Sequence, residues 1–287
     1  MLSPYAYAPA TARHLVPSVE PVNPARSPYD PPSDLAPGAK AVRTHELLKK
    51  GDVTFSREIT WSTVGSEKPR IVSNRIIVES GNDADDIQVR SWPGDKLQFL
   101  VNGRSYMLDA QAQQGPQPSL LIKTNGGDDK VSIDDDVMHV VEIHGGEGND
   151  ILKAGGGPSA LYGGGGNDEL WLGRGFGYAQ GDDGNDLIVG GYGTNVMFGN
   201  NGNDRIYSKT GAKDSKNLMF GGDGNDVLYA LDGENHLNGG DGNNQLFVND
   251  RTTRYNGGGS DRIQDSRSEN EFSFMPLAVG TDPLPHP

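Results

Sequence analysis

From Gly145 onward the apolar residues of this chain recur at a fixed interval of nine. Written in nines, the sequence reads GGEGNDILK, AGGGPSALY, GGGGNDELW, LGRGFGYAQ, GDDGNDLIV, GGYGTNVMF and GNNGNDRIY, without a gap up to Tyr207. A unit of thirteen residues follows, Ser208 to Phe220, with four extra. Register resumes with GGDGNDVLY, ALDGENHLN and GGDGNNQLF, one residue is lost near Arg254, and NGGGSDRIQ ends at Gln264. The eighth position of these units holds Leu152, Leu161, Leu170, Ala179, Ile188, Met197, Ile206, Met219, Leu228, Leu237 and Leu246. Side chains alternate across a strand, so a three-residue strand sends only its middle residue to one face. The pattern predicts a stack of short strands with a narrow apolar core, each joined to the next by a six-residue polar turn.

Upstream the pattern changes. Residues 53 to 144 alternate as strands do, anchored by Val53-Thr54-Phe55, Ile59-Thr60-Trp61, Ile76-Ile77-Val78 and Leu120-Leu121-Ile122. Asn102-Gly103 divides the alternating stretch Leu97 to Leu108 and predicts a hairpin, because both residues tolerate positive φ. Two loops, Ser80 to Ile87 and Asn125 to Val131, look like degenerate copies of the later repeat. Residues 1 to 40 carry nine prolines and no apolar period, which predicts an extended leader. The expected division is a disordered leader over 1–50, a β-rich cap over 51–144, the repeat stack over 145–264 and a tail over 265–287.

The repeat turns carry candidate chemistry. Gly148-Asn149-Asp150, Gly166-Asn167-Asp168, Gly184-Asn185-Asp186, Gly202-Asn203-Asp204 and Gly224-Asn225-Asp226 lie in one register, each with Leu or Ile two positions after the Asp. Glycine allows the positive φ that a sharp turn requires and lets carbonyl oxygens point inward. One carboxylate per turn adds charge. Ca²⁺ takes roughly six to eight oxygen ligands, which neighbouring turns can share. These motifs resemble the RTX, or haemolysin-type, calcium-binding nonapeptide family, whose repeat forms a calcium-binding β-helix. The resemblance implies an all-β fold, a right-handed parallel β-roll, with Ca²⁺ as its cofactor. It also implies a chain unfolded at low calcium and folded after export.

A doubled period lies inside the repeat. The sixth position holds Asp150, Asp168, Asp186, Asp204, Asp226, Asn244 and Asp261 in alternate units, and Ser159, Gly177, Asn195, Asn217, Asn235 and Thr253 in the others. Two nonapeptides therefore make one turn of eighteen residues, and the two edges of the roll differ. The expected metal ligands are Asp150, Asp168, Asp186, Asp204, Asp226, Asp261, Asn244 and the upstream Asp129, with backbone carbonyls of the same turns. About five sites are expected along the Asp edge, with the four extra residues before Phe220 interrupting the array. The other edge is expected to stack Asn195, Asn217 and Asn235 through their amides. The alternative is weak binding at both edges through backbone oxygens. With strands about 4.7 to 4.9 Å apart, six to seven turns give a rod on the order of 30 Å long.

Charge and composition narrow the partners. The formal net charge is −14, which disfavours nucleic acid. The repeats alone carry nine Lys and Arg against sixteen Asp and Glu, 9 − 16 = −7, so without calcium their carboxylates repel one another. Cysteine is absent, which excludes disulfides and thiolate chemistry. Apolar content is 34% with 41 glycines, too little for a thick core. No apolar run reaches the roughly 18 to 20 residues that span a bilayer, and no basic-then-apolar leader is present. Secretion without a cleaved signal peptide, or delivery into a host cell, is expected.

No enzyme signature emerges. His45-Glu46-Leu47-Leu48-Lys49 starts like a zinc-protease helix, but Lys49 stands where the second His is needed. No G-x-S-x-G elbow occurs, and His14, His139, His144, His236 and His286 are scattered. The expected role is a secreted calcium-binding structural or interaction module, not an enzyme. The rival is a toxin-like effector or enzyme with a site in residues 51–144. The ninth positions, including Trp171, Tyr207, Tyr229 and Phe247, form an outer aromatic stripe that suits a protein or cell-surface partner, or else cross-strand packing or cover by the tail.

Overall fold

The computed structural model describes residues 29–32, 35–66, 68–110, 115–255 and 261–265. Within them the regular structure is all strand, with no helix and hence none long and apolar enough to cross a membrane. Two sheets of eleven strands face each other. One opens with an antiparallel trio, β1 (Lys40–Lys50), β2 (Val53–Ser62) and β3 (Arg70–Glu79). It continues in parallel through β7 (Ser119–Lys123), β9 (Val141–Glu147), β11 (Ser159–Gly165), β13 (Gly177–Asp183), β15 (Thr194–Asn201), β17 (Lys216–Asp223), β19 (Glu234–Asp241) and β21 (Thr252–Tyr255). The other opens with β6 (Arg104–Asp109), β5 (Lys96–Val101) and β4 (Asp86–Trp92), also antiparallel. Its parallel part runs through β8 (Lys130–Ile133), β10 (Ile151–Lys153), β12 (Glu169–Trp171), β14 (Leu187–Val189), β16 (Arg205–Tyr207), β18 (Val227–Tyr229), β20 (Gln245–Val248) and β22 (Arg262–Asp265). The chain crosses from one sheet to the other at every turn, so the fold is a parallel β-solenoid of about eight turns.

The eighteen-residue period is the strand register itself: Leu152 pairs with Leu170, and Ile188 with Ile206. All eleven residues of the expected inward stripe are fully buried. The cap extends each sheet by two antiparallel strands, and its strands β1 to β3 run to ten or eleven residues. Phe55 packs edge-on against Phe99 at 5.5 Å and lies 5.0 Å from Tyr106, all joined to the same core as the roll.

Three expectations change. Residues 40–50, assigned above to a disordered leader, form β1. Gly51 takes φ +66° in a tight turn, and the ten pairs that follow span Lys40↔Ser62 to Lys50↔Val53. Its alternation was hidden because Arg43 and His45 lie on the half-buried face of this edge strand and Val42 on the exposed one. Further upstream, Tyr29 and Leu35 pack on a small cluster of Ile59, Trp61 and Ile71. The four extra residues before Phe220 do not break the stack, because they bulge out at one edge over 208–215 and β15 still pairs with β17. Finally, Asn235 pairs with Thr252 and not Thr253, so the lost residue falls before Thr252. The expected tail from 266 onward lies outside the described residues.

Candidate calcium-binding edge

Each turn on the Asp edge is built by its glycines. At the fourth position Gly148, Gly166, Gly184, Gly202 and Gly224 all have positive φ, between +123° and +142°. A Cβ on Gly166 would strike the carbonyl of Gly148 in the turn before, so successive turns stack backbone on backbone. This close stacking delivers the sixth-position Asp into the interior. Asp150, Asp168, Asp186, Asp204 and Asp226 are at most 2% exposed.

The two oxygens of each carboxylate have different fates. Oδ1 accepts the backbone N–H of the Asp one turn earlier: Asp150 donates to Asp168 at 2.7 Å, Asp168 to Asp186 and Asp186 to Asp204 at 2.8 Å, and Asp204 to Asp226 at 2.9 Å. Oδ2 of all five is buried with no hydrogen-bond partner. A buried polar atom left unpaired costs free energy and calls for an explanation. Each Oδ2 points at the first glycine of its own turn, occupying the place where a Cβ would be. Facing the same spot is the carbonyl of the first glycine in the next turn, at 2.8 Å for Gly163, 2.7 Å for Gly181, 2.9 Å for Gly199 and 2.6 Å for Gly221, with Gly239 closing the fifth. Five equivalent places therefore exist where a carboxylate oxygen and a carbonyl oxygen converge beside a missing side chain. Among the described residues no three His, Asp or Glu side chains gather as a metal cluster. Any ion here must take much of its coordination from backbone oxygen, which suits a hard cation such as Ca²⁺.

Burial dominates the electrostatics. It pushes the Asp168, Asp186 and Asp204 carboxyls up to about 7, and those of Asp150 and Asp226 to about 6. The backbone N–H bonds oppose this, and the neighbouring carboxylates reinforce it. A row of buried carboxylates so perturbed takes up protons as pH falls through 7, and a bound cation would favour their ionised form.

The ends of the row differ. Asn244 accepts the Asp226 N–H through Oδ1 at 2.8 Å, which fixes its orientation and turns its amide nitrogen toward Gly239. A hydrogen-bond donor there does not suit a cation, although Asn244 was an expected ligand. Asp261 continues the row with a longer bond, 3.4 Å from the Asn244 N–H. Asp129 and, unexpectedly, Asp85 extend it the other way, at 2.8 Å and 2.7 Å; Oδ2 of each is buried, and at Asp129 the Thr124 hydroxyl lies against the carboxylate and opposes the effect of burial. Burial raises the Asp129 carboxyl to about 6. Thr124 and Ser80 take the first-glycine position in those two turns.

On the opposite edge the expected amide stack is present. The Asn195 amide donates to Asn217 at 2.7 Å, and Asn217 to Asn235 at 2.9 Å, all fully buried. The Asn195 amide also reaches the Gly191 and Gly193 carbonyls, each at 3.1 Å. These side chains satisfy the turn carbonyls that a cation would otherwise take. A second Asn stack had not been foreseen. Asn149, Asn167, Asn185, Asn203, Asn225 and Asn243, at the fifth position, each pass Oδ1 to the backbone and amide N–H of the next, at 2.8 to 3.4 Å. Its signal was the Asn that precedes Asp150, Asp168, Asp186, Asp204 and Asp226.

The outer rings stack on one another. Tyr207 and Tyr229 lie 4.7 Å apart and Tyr229 and Phe247 4.2 Å apart, with planes within 8°. The other sheet stacks His144 on Tyr162 and Phe198 on Phe220, with Tyr178 tilted by 45° and 46° to its two neighbours between them. Nearly parallel rings turn their faces to each other and only their edges outward. Trp171 is half-buried. His139 sits in a bend, not in the strand its neighbours suggest, with Nδ1 2.8 Å from the Pro118 carbonyl.

No curated protein and no solved structure matches the chain. A family model for the RTX calcium-binding nonapeptide repeat matches residues 144–178, 180–212 and 214–247. Residues 144–247 of this chain are RTX calcium-binding nonapeptide repeats, folded as a parallel β-roll.

Proposed function

We propose that this protein is a secreted calcium-binding module whose roll forms when Ca²⁺ enters one edge, and that it acts as a structural or interaction element and not as an enzyme. The observation that carries this reading is the set of five converging oxygen pairs at Asp150, Asp168, Asp186, Asp204 and Asp226, each with an unpaired Oδ2. These carboxylates and the glycine carbonyls beside them would hold the ions, and Ca²⁺ would supply the charge that lets them stay ionised while buried. The other edge already satisfies its turns with Asn195, Asn217 and Asn235, which supports one-edged binding. Export to a calcium-rich compartment follows from the same chemistry. Extracellular calcium modules bind at about 10⁻⁴ to 10⁻³ M, so the low calcium inside a cell leaves the carboxylates unpaired.

The test is calcium stoichiometry and β-sheet circular dichroism on the full chain. About five ions per chain, with a β signal that falls on chelation and returns with Ca²⁺, is the expected result. A signal indifferent to chelator, or equal occupancy of both edges in a calcium-soaked crystal, would sink it.

A further inference from the structure

The first two turns of the Asp edge lack what the five later ones share. In place of the first glycine stand Ser80 and Thr124, both buried. The Thr124 hydroxyl donates to the Gly145 carbonyl at 2.8 Å. That carbonyl belongs to the series which, from Gly163 onward, faces the carboxylate Oδ2 beside a glycine with no side chain. Here the chain's own hydroxyl meets the carbonyl. The Ser80 hydroxyl points the same way, 3.5 Å from the Thr124 carbonyl. The two turns are tied by further bonds that involve no ion. The Asn125 amide donates to the Ser80 carbonyl at 2.6 Å, and the Asn102 amide, at the tip of the β5–β6 hairpin, donates to Asp85 Oδ1 at 2.5 Å. Behind them lies a part of the core with large side chains, where Phe55, Ile76, Ile87, Leu97 and Phe99 are fully buried between the two antiparallel wings. The later turns add one inward apolar residue per nine, with Ala154, Leu172 and Ala230 as the additions to it.

We propose that the Thr124 and Ser80 hydroxyls stand in for the cation in the first two turns, so that residues 53–133 fold without calcium and present a finished sheet end. The calcium-dependent turns from Gly145 onward then add to that end. This rests on the calcium reading of the later turns, and the experiment separates the two. Asp129 and Asp85 bind no ion under this proposal. The N-terminal β strands template register for the rest, which spares the roll the costly first turn of a stacked array.

Hydrogen exchange on the full chain in chelator is the primary test. Residues 53–133 should stay protected while 145–247 exchange freely, and added Ca²⁺ should protect the second segment alone. Loss of protection in 53–133 under chelator overturns the proposal. Equal protection of 145–247 with and without Ca²⁺ overturns the calcium reading instead. Counting bound ions by native mass spectrometry gives the second test. Asp129→Asn should leave the count unchanged, where Asp168→Asn lowers it. Thr124→Gly, which opens the place the hydroxyl fills, should raise the count by one. A lower count in Asp129→Asn, or no gain in Thr124→Gly, argues that the hydroxyls do not replace an ion. If either variant fails to fold, the exchange pattern of the unaltered chain decides.

Discussion

At the scale of single residues the edge is governed by small differences in one side chain. Asn244 and Asp226 occupy equivalent positions, yet one turns an amide nitrogen and the other a bare oxygen toward its glycine. Asn244→Asp should therefore add one calcium to the count. Gly181→Ser should remove one, because its Cβ would take the place of the Asp186 Oδ2. Both are read by native mass spectrometry. The raised carboxyl pKa values give a pH dependence with a definite sign. Unfolded, these Asp residues titrate near 3.9 (about, for model peptides). Folded without metal they titrate near 6 to 7, so the folded apo chain binds more protons. Their burial is best tolerated below about pH 4 and becomes destabilising as pH rises through 7. Apo roll should therefore show more β-sheet circular dichroism at pH 5 than at pH 8. Calcium affinity should run oppositely, weakening as pH falls below 7, because protons compete for the same oxygens. The five Asp positions were legible in the sequence because a charged residue repeats in register. The opposite orientations of Asp and Asn at that position, and the Thr124 hydroxyl on Gly145, were not. They depend on which atom faces a neighbouring turn, and spacing alone does not say.

Elements are joined here chiefly to their neighbours one turn away. Parallel pairing puts identical positions side by side, so a residue type repeated every eighteen becomes a continuous stack. Tyr229 has a ring on each side of it. Aromatic pairs contribute about 0.5 to 1.5 kcal/mol each beyond burial. Tyr229→Ala should lower the thermal midpoint of the calcium-bound chain while leaving its ion count at the wild-type value. A loss of ions would mean that the outer row positions the turns as well. The stripe was visible in the sequence as a partner surface or as cross-strand packing, and the ring geometry favours packing. β1 was invisible because its half-buried face carries Arg43 and His45 while Val42 stands on the exposed face, so no apolar alternation marks it. An edge strand needs only one buried face and a partner, and its partner β2 lies just beyond Gly51.

For the molecule as a whole, the stability of such a stack is close to a sum of nearest-neighbour terms. The two edges contribute differently. One is held by amides that are always present, the other by carboxylates that need a counter-charge. Five Ca²⁺ ions would bring the formal charge from −14 to −4, as −14 + 10 = −4. Self-repulsion should fall accordingly, and added salt should partly substitute for calcium in compacting the chain but not in ordering the Asp edge. The all-β solenoid was legible from the period, since a nine-residue unit rich in glycine disfavours helix and its apolar position recurs once per unit. The cap was legible as strands and as the Asn102-Gly103 hairpin, which β5 and β6 form, but its antiparallel sheet order leaves no period to find.

The excursion over 208–215 shows where the molecule tolerates a change of length. It leaves between β16 and β17, closes on itself through a Ser215 hydroxyl bond to the Ala212 carbonyl at 2.7 Å, and meets Asp232 through the Gly211 N–H at 2.7 Å. Across it the Asp204-to-Asp226 bond is as short as its neighbours. Chain added at the amide-held edge is thus not felt at the ion-held edge. That makes this loop a docking port for grafted sequence. A peptide spliced between Gly211 and Ala212 should ride on the folded rod, displayed only when calcium is present, with the number of bound ions unchanged.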